Sequence, residues 1–198
     1  MGARYERDTK GKIINAAYRL FSAKGYEATT VDEIVEESQT SKGSFYHYFE
    51  SKDALFSAMT FVFDEAYQKL EEEMDPTLSS YEKLIYLNRE IFAYIENSVM
   101  VDMLTRLFAT QLTTHGEKHL LDRNRTYYRL IRRIIEEGQH AGELSTEFTV
   151  NEIVKDYSTL ERGMLYDWCL CDGEYGLKRY AQARMPLFLQ TYLAKKDK

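Results

Sequence analysis

Residues 30–49 read TVDEIVEESQTSKGSFYHYF. Thr30-Val31-Asp32-Glu33 has the form of a capping box, in which a threonine hydroxyl and a glutamate carboxylate three residues on satisfy each other's orphan amides. Ile34 and Val35 supply the buried face behind it. After Ser38-Gln39-Thr40 the chain can restart at Ser41, with Phe45 and Phe49 on one face and Lys42 and Tyr46 on another. The spacing predicts two short helices joined by a three-residue turn. That is the helix-turn-helix plan, where the second helix enters the major groove of DNA and the first braces it. Short helical pairs also occur in bundles that never touch DNA, so spacing alone leaves the role open.

Upstream, Ile13, Ala16, Ala17, Leu20 and Phe21 recur at three- and four-residue spacing and Gly25 follows as a stop, which predicts one amphipathic helix. Downstream, Ser51 offers a cap, Asp53 a favourable first-turn charge, and Leu55, Phe56, Met59, Phe63 and Leu70 an apolar stripe. A long fourth helix joining two domains is expected there. Pro76 interrupts the pattern, which resumes at Leu84, Leu87, Ile91 and Ile95 and again at Met103, Leu104, Leu107 and Phe108. Gly116 reads as the separator before a helix carrying Leu120, Tyr127, Tyr128, Ile131, Ile134 and Ile135 and ending between Gly138 and Gly142. Two more helices are expected near Val150 to Cys171 and Glu174 to Ala194.

The 198-residue chain holds only two prolines and ten glycines. So few breakers among long periodic stretches argue for an all-α fold: an N-terminal three-helix domain over residues 1–52 and a C-terminal helical bundle over 53–198. No apolar run approaches the roughly 20 residues that a bilayer crossing needs, and the N-terminus lacks a signal-peptide core. No membrane partner and a cytoplasmic location are therefore expected. Cys169 and Cys171 lack the second Cys or His pair of a zinc site and read as reduced thiols, with no metal or other cofactor expected. The formal net charge of -6 is awkward for a nucleic-acid partner, but its distribution is uneven. Between Met1 and Lys24 six basic residues (Arg4, Arg7, Lys10, Lys12, Arg19, Lys24) stand against Glu6 and Asp8, while acid gathers at Glu71, Glu72, Glu73 and Asp75. Such polarity turns one end toward a polyanion and keeps non-specific DNA affinity modest.

From Ala16 to Leu55 the wording adds to the spacing. Ala16-Ala17, Leu20-Phe21, Gly25-Tyr26, Thr29-Thr30, Ile34, then Ser41 through Phe49 and Ser51-Lys52-Asp53-Ala54-Leu55 closely resemble the N-terminal signature of the TetR/AcrR family of transcription regulators. Glu136-Glu137-Gly138 to Gly142-Glu143-Leu144 also resembles the family's common helix ending. The resemblance implies a homodimer that grips palindromic operator DNA, acts as a repressor and is released when a small-molecule effector binds the C-terminal domain. One departure stands out: Gln39 occupies the turn position where the family usually has glycine. Glycine adopts positive φ without strain, whereas glutamine costs on the order of 1 kcal/mol there or forces a different turn.

Carried onto this chain, the resemblance places Thr40, Ser41, Lys42, Gly43 and Ser44 at the start of the recognition helix. Lys42 can donate to guanine, and Gly43 permits close approach without reading anything itself. Tyr46, His47 and Lys52 resemble the family's phosphate contacts, and Thr30 presents a hydroxyl and a helix N-terminus to the backbone. Tyr48 is divided between phosphate contact and packing. His47 has no cluster at metal-ligand spacing, so it reads as a donor near phosphate. Phe45 and Phe49 read as core beside Ile34 and Leu20.

Beyond Glu65 the chain is rich in Tyr, Phe and Met, most of which must simply pack the bundle. Met103, Phe108, Tyr128, Met164 and Trp168 are the candidate lining of an effector pocket, because soft and aromatic linings suit apolar or aromatic ligands. Asp102, Glu161 and Asp167 lie close to that set in sequence and can complement a cation, although the surface is the commoner place for a carboxylate. Val150, Ile153, Val154, Tyr157, Leu160 and Met164, with Leu177, Tyr180, Leu187, Phe188 and Leu193, resemble the family's paired dimerisation helices, the last of which Pro186 should kink or break. An enzyme lacks its parts: no phosphate-cradling glycine loop, no metal-spaced set, no nucleophile motif. A helical binding module without DNA recognition is the competing class. The acidic total and Gln39 favour it; the basic N-terminus and the Ser41 to Lys52 string oppose it.

Overall fold

Frequent caps divide the chain into ten α-helices among the described residues: α1 Gly2–Lys24, α2 Val31–Glu37, α3 Lys42–Tyr48, α4 Ala54–Ala58, α5 Thr60–Glu73, α6 Ser80–Ser98, α7 Val101–Thr113, α8 Thr126–His140, α9 Val150–Leu170 and α10 Leu177–Leu189. This computed structural model describes residues 2–113, 115 and 118–195, and the side chains of all of these except 2–8 and 57. The side chains of Arg4, Glu6, Arg7 and Asp8, and Gly116, lie outside the described residues.

Local chemistry explains most boundaries. Thr30, Ser79 and Thr149 each close a capping box with the glutamate three residues on, starting α2, α6 and α9. Gly142 ends α8 at φ 70°, with the amides of Gly142 and Glu143 reaching the carbonyls of Gln139 and Gly138, a Schellman closure that favours glycine. Gly138 serves packing instead. A Cβ there would lie 2.6 Å from the Ser80 Cβ, so the start of α6 crosses α8 only because the side chain is missing.

The helices sort into two compact units, Met1–Phe63 with Asp102–Leu121, and Asp64–Val101 with Asp122–Lys198. The first thus extends past the 1–52 segment, taking in α4, the first turn of α5 and α7. Its core joins Ile13, Ala16, Ala17 and Phe21 of α1 to Ile34, Phe45, Phe49, Leu55, Phe56 and Met59, with Met103 of α7 in the same cluster. In the second unit α6 packs against α8 and α10, and α8 against α9. Leu84, Leu87, Ile91, Ile131, Ile134, Ile135 and Ile153 are all buried there. Backbone bonds from Ser145 to the Tyr192 carbonyl (2.8 Å) and from Ala194 to the Glu143 carbonyl (3.0 Å) close the C-terminus over the α8–α9 turn.

Three expectations change. The long fourth helix is two helices, α4 and α5, because Met59 and Val62 donate to the carbonyls three residues back, a tight turn that breaks the ladder. Burial of Leu55, Phe56, Met59, Val62 and Phe63 keeps helical spacing across the break, so periodicity could not reveal it. Pro186 lies inside α10 without ending it; the helix runs to Leu189 and tightens into a 3-10 turn at Gln190–Tyr192. Leu120 falls in a separate 3-10 turn, His119–Leu121, before α8.

Candidate nucleic-acid interface

α2 and α3 are each only seven residues long, so their ends must be satisfied by side chains. At the start of α2 the Thr30 hydroxyl accepts from the Glu33 amide at 3.3 Å while Glu33 accepts from the Thr30 amide at 2.8 Å. Glu33 also pairs with Lys24 of α1, which ties the two helices together. The hydrogen bond from Lys24, with those from Thr30, holds the Glu33 carboxyl down at about 2.

The turn takes the conformation that glycine would supply. Gln39 has φ 54°, and the amides of Gln39 and Thr40 donate to the carbonyls of Glu36 and Val35, each at 3.0 Å. This is a Schellman closure with glutamine at the left-handed position, so the local cost is steric, on the order of 1 kcal/mol, and the turn itself is unchanged. The Ser38 and Thr40 hydroxyls, 2.8 Å apart, brace it.

Ser41 then caps α3, its hydroxyl accepting from the Ser44 amide at 3.0 Å. Phe45 and Phe49 point inward, buried in the core with their rings 5.7 Å apart, which turns the opposite face outward. Ser41, Lys42, Gly43, Tyr46 and His47 are exposed on that face, and Thr30 is exposed at the head of α2. A Cβ on Gly43 would meet nothing nearer than the Ser41 hydroxyl at 3.7 Å, so no internal packing requires the glycine. Lys42 pairs with Asp32 of α2 at 2.6 Å, and the hydrogen bond to that carboxylate raises its pKa. Ser44 and Thr40 are half-buried and engaged in local hydrogen bonds, and Tyr48 is half-buried against the core.

Lys52 makes intramolecular contacts that the sequence did not suggest. Its ammonium donates to the carbonyls of Tyr26 (2.8 Å) and Thr29 (2.7 Å) and lies 3.9 Å from the centroid of the Tyr26 ring. It clamps the α1–α2 loop. Arg106 of α7 also lies against that ring, 4.6 Å from the centroid, and bonds to Glu27 at 2.9 Å. The Tyr26 hydroxyl donates to Asp53. Sequence reading missed this stack because its members come from residues 26, 52 and 106, and no local pattern joins them.

Two family models match the chain: bacterial regulatory proteins of the tetR family over residues 13–59, and the C-terminal region of YsiA-like proteins over residues 59–191. The chain belongs to the TetR family of transcription regulators. Among curated relatives, the HTH-type regulator YhgD of Bacillus subtilis is 28% identical over 168 residues, covering 81% of this chain and 84% of its own. QacR of Staphylococcus aureus is 25% identical over 149 residues, covering 73% and 76%. Among solved structures, FadR of Bacillus subtilis in complex with stearoyl-CoA superposes with a TM-score of 0.67 at 18% identity, covering 91% of this chain and 97% of that one. Its likeness establishes the fold.

Regulators of the TetR family bind operator DNA and small ligands and form dimers, and in this member the five candidate effector residues fall in different surroundings. Met103 is buried in the first unit's core, 3.9 Å from the Ser22 hydroxyl, and Phe108 is half-buried in the same unit. Tyr128, Met164 and Trp168 are buried in the second unit. There Tyr128 accepts from Arg162 at 3.0 Å, and the Trp168 indole donates to the Tyr175 carbonyl at 2.9 Å. Of the three candidate carboxylates, Asp102 pairs on the surface with Arg106 and Asp167 accepts from the Tyr175 hydroxyl, while Glu161 alone is buried. Tyr157, Glu161, Met164 and Trp168 follow one another at spacings of four, three and four on α9. A carboxylate in line with an apolar stripe was the legible signal.

Of the apolar positions expected to dimerise, Ile153, Val154, Tyr157, Met164 and Leu177 are buried within the protomer. Exposed on α9 and α10, beside charged and polar residues such as Lys155, Asp156, Arg179 and Arg184, are Gly163 and the large apolar side chains of Tyr166, Leu170, Tyr180 and Leu187. No helix among the described residues is long and apolar enough to cross a membrane.

Proposed function

We propose that this regulator is a cytoplasmic repressor in which residues 1–52 recognise a palindromic operator and residues 53–198 bind an effector and dimerise. The observation that carries the DNA reading is the outward face of α3, where Ser41, Lys42, Gly43, Tyr46 and His47 are exposed while Phe45 and Phe49 anchor the helix from behind. Lys42 is the base reader, exchanging Asp32 for a guanine edge, and Tyr46, His47 and Thr30 meet phosphates. Lys52 uses two of its three N–H groups on loop carbonyls, which leaves one for a phosphate. Tyr166, Leu170, Tyr180 and Leu187 support dimerisation through α9 and α10: exposed large apolar side chains on paired helices make a self-complementary face.

Selection of bound fragments from random DNA tests the reading, and a two-fold symmetric site is expected. Inserting about five base pairs between its half-sites turns the second half-site to the far side of the duplex and should abolish tight binding. Unchanged affinity would rule out the dimer. Within that site Lys42→Ala should relax preference at particular bases. Lys52→Ala should weaken all sequences alike, flatten the salt dependence by about 1 to 2 units per dimer and destabilise the first unit by about 1.5–3 kcal/mol through the lost carbonyl clamp. Equal, sequence-blind losses for both variants would remove Lys42 from base readout.

A further inference from the structure

The second unit has a polar centre that DNA recognition does not use. Glu161 of α9 is 4% exposed, yet among the described residues no salt bridge reaches it. Its carboxyl accepts from Asn88 of α6 at 2.9 Å and from the Tyr127 hydroxyl of α8 at 2.6 Å, both neutral donors. The Tyr157 hydroxyl on the same helix gives its only proton to the Leu84 carbonyl at 2.9 Å.

The charged neighbours are turned elsewhere. Arg162 donates to Tyr128 and Thr159, and Arg125 is paired with Asp64 of α5 at 3.1 Å. Around the carboxyl the Tyr67 and Tyr127 ring centroids are 5.0 Å apart and those of Tyr127 and Tyr128 4.8 Å, an aromatic wall whose faces carry negative potential. Burial pushes the Glu161 carboxyl up, against the neutral hydrogen-bond donors and the Arg162 charge that favour its ionised form. Asn88 and the Tyr127 hydroxyl donate to different oxygens of the carboxyl, so a glutamine, with one oxygen, would accept from only one of them unless the tyrosine hydroxyl reverses its role. What only a carboxylate offers is a charge, and tyrosine faces add to its preference for cations.

We propose that Glu161 is an exchange site, holding a proton in the free regulator and an organic cation with an aromatic or apolar body in the liganded one. The inference rests on the effector-binding role of the C-terminal unit and names the ligand class. Binding deprotonates Glu161, the proton passing to solvent, and parts the tyrosine rings, which are now closely packed. Tyr67 lies on α5, the helix whose first turn belongs to the first unit and whose remainder belongs to the second.

Tetraphenylphosphonium and its anionic twin tetraphenylborate have the same shape and opposite charge, and calorimetry on the full-length protein in buffers of different ionisation enthalpy reads both affinity and proton release. The phosphonium should bind with release of protons, and its affinity should rise with pH, by up to about tenfold per unit, until the free carboxyl is ionised. The borate should bind at least tenfold more weakly. Glu161→Gln should still melt cooperatively and keep its operator affinity but lose at least tenfold in phosphonium affinity, together with the proton release. Equal binding of the two ions, binding of neither, or unchanged phosphonium affinity in Glu161→Gln would overturn the proposal. DNA binding of the unliganded protein is independent of all these outcomes, so failure here is distinct from failure of the operator reading.

Discussion

In the recognition unit Glu33 sits at the head of α2, accepting from Lys24 and from the Thr30 amide and hydroxyl, and its carboxyl is held down at about 2. In the bundle Glu161 sits among tyrosines and an asparagine, and burial pushes its carboxyl up from the ordinary 4.5. The same side chain serves as a charged cap where water and a lysine support the anion, and as a neutral hydrogen-bonding group where neither does. These two carboxyls thus contribute to pH dependence with opposite sign. A carboxyl lowered by folding adds stability above its unfolded value and loses it as pH falls toward about 2. A carboxyl raised by folding adds stability below 4.5 and loses it as pH rises through the elevated value.

The largest effect tests whether the units are separable. Phe45 is fully buried in the first unit's core, so Phe45→Ala should destabilise that unit by about 3–5 kcal/mol and abolish operator binding. Trp168 reports on the second unit, and its fluorescence transition should not move. An equal shift in that transition would show that the two unfold as one.

Next in size is the pH contrast. In chemical denaturation the deficit of the wild type relative to Glu161→Gln should grow above pH 4.5, by up to about 1.4 kcal/mol per unit, and level off past the raised carboxyl value. The advantage of the wild type over Glu33→Gln should instead shrink as pH falls from 4.5 toward 2. Parallel curves for Glu161→Gln and wild type would mean that the buried carboxyl titrates as it does in water. The smallest effect concerns the turn: Gln39→Gly should raise the first unit's stability by about 0.5–1 kcal/mol by relieving the left-handed strain. A loss would show that the glutamine side chain contributes something the backbone argument omits.

Much of the recognition unit was legible in the sequence because its determinants are local. Thr30 with Glu33, Ser41 with Ser44, and Phe45 with Phe49 are neighbours within one or two helical turns, and spacing alone aligns them. Even Gln39 announced itself, since a turn of that length demands a left-handed residue whichever side chain occupies it. The effector candidates were less legible. Periodicity marked Met103 and Tyr128 equally as inward-facing, yet one completes the first unit's core and the other belongs to the bundle.

By itself the sequence determined most helix positions, the cap of α2, the inward faces and the outward face of α3, all set by interactions between residues a few places apart. Only the tertiary structure decided that Lys52 clamps a loop, that Arg106 stacks on Tyr26, and that Glu161 meets Asn88 and Tyr127. Those contacts join residues between 23 and 80 positions apart in the chain. Hydrophobic burial fixes which faces turn inward but not which polar groups meet once they do; that depends on how the helices cross.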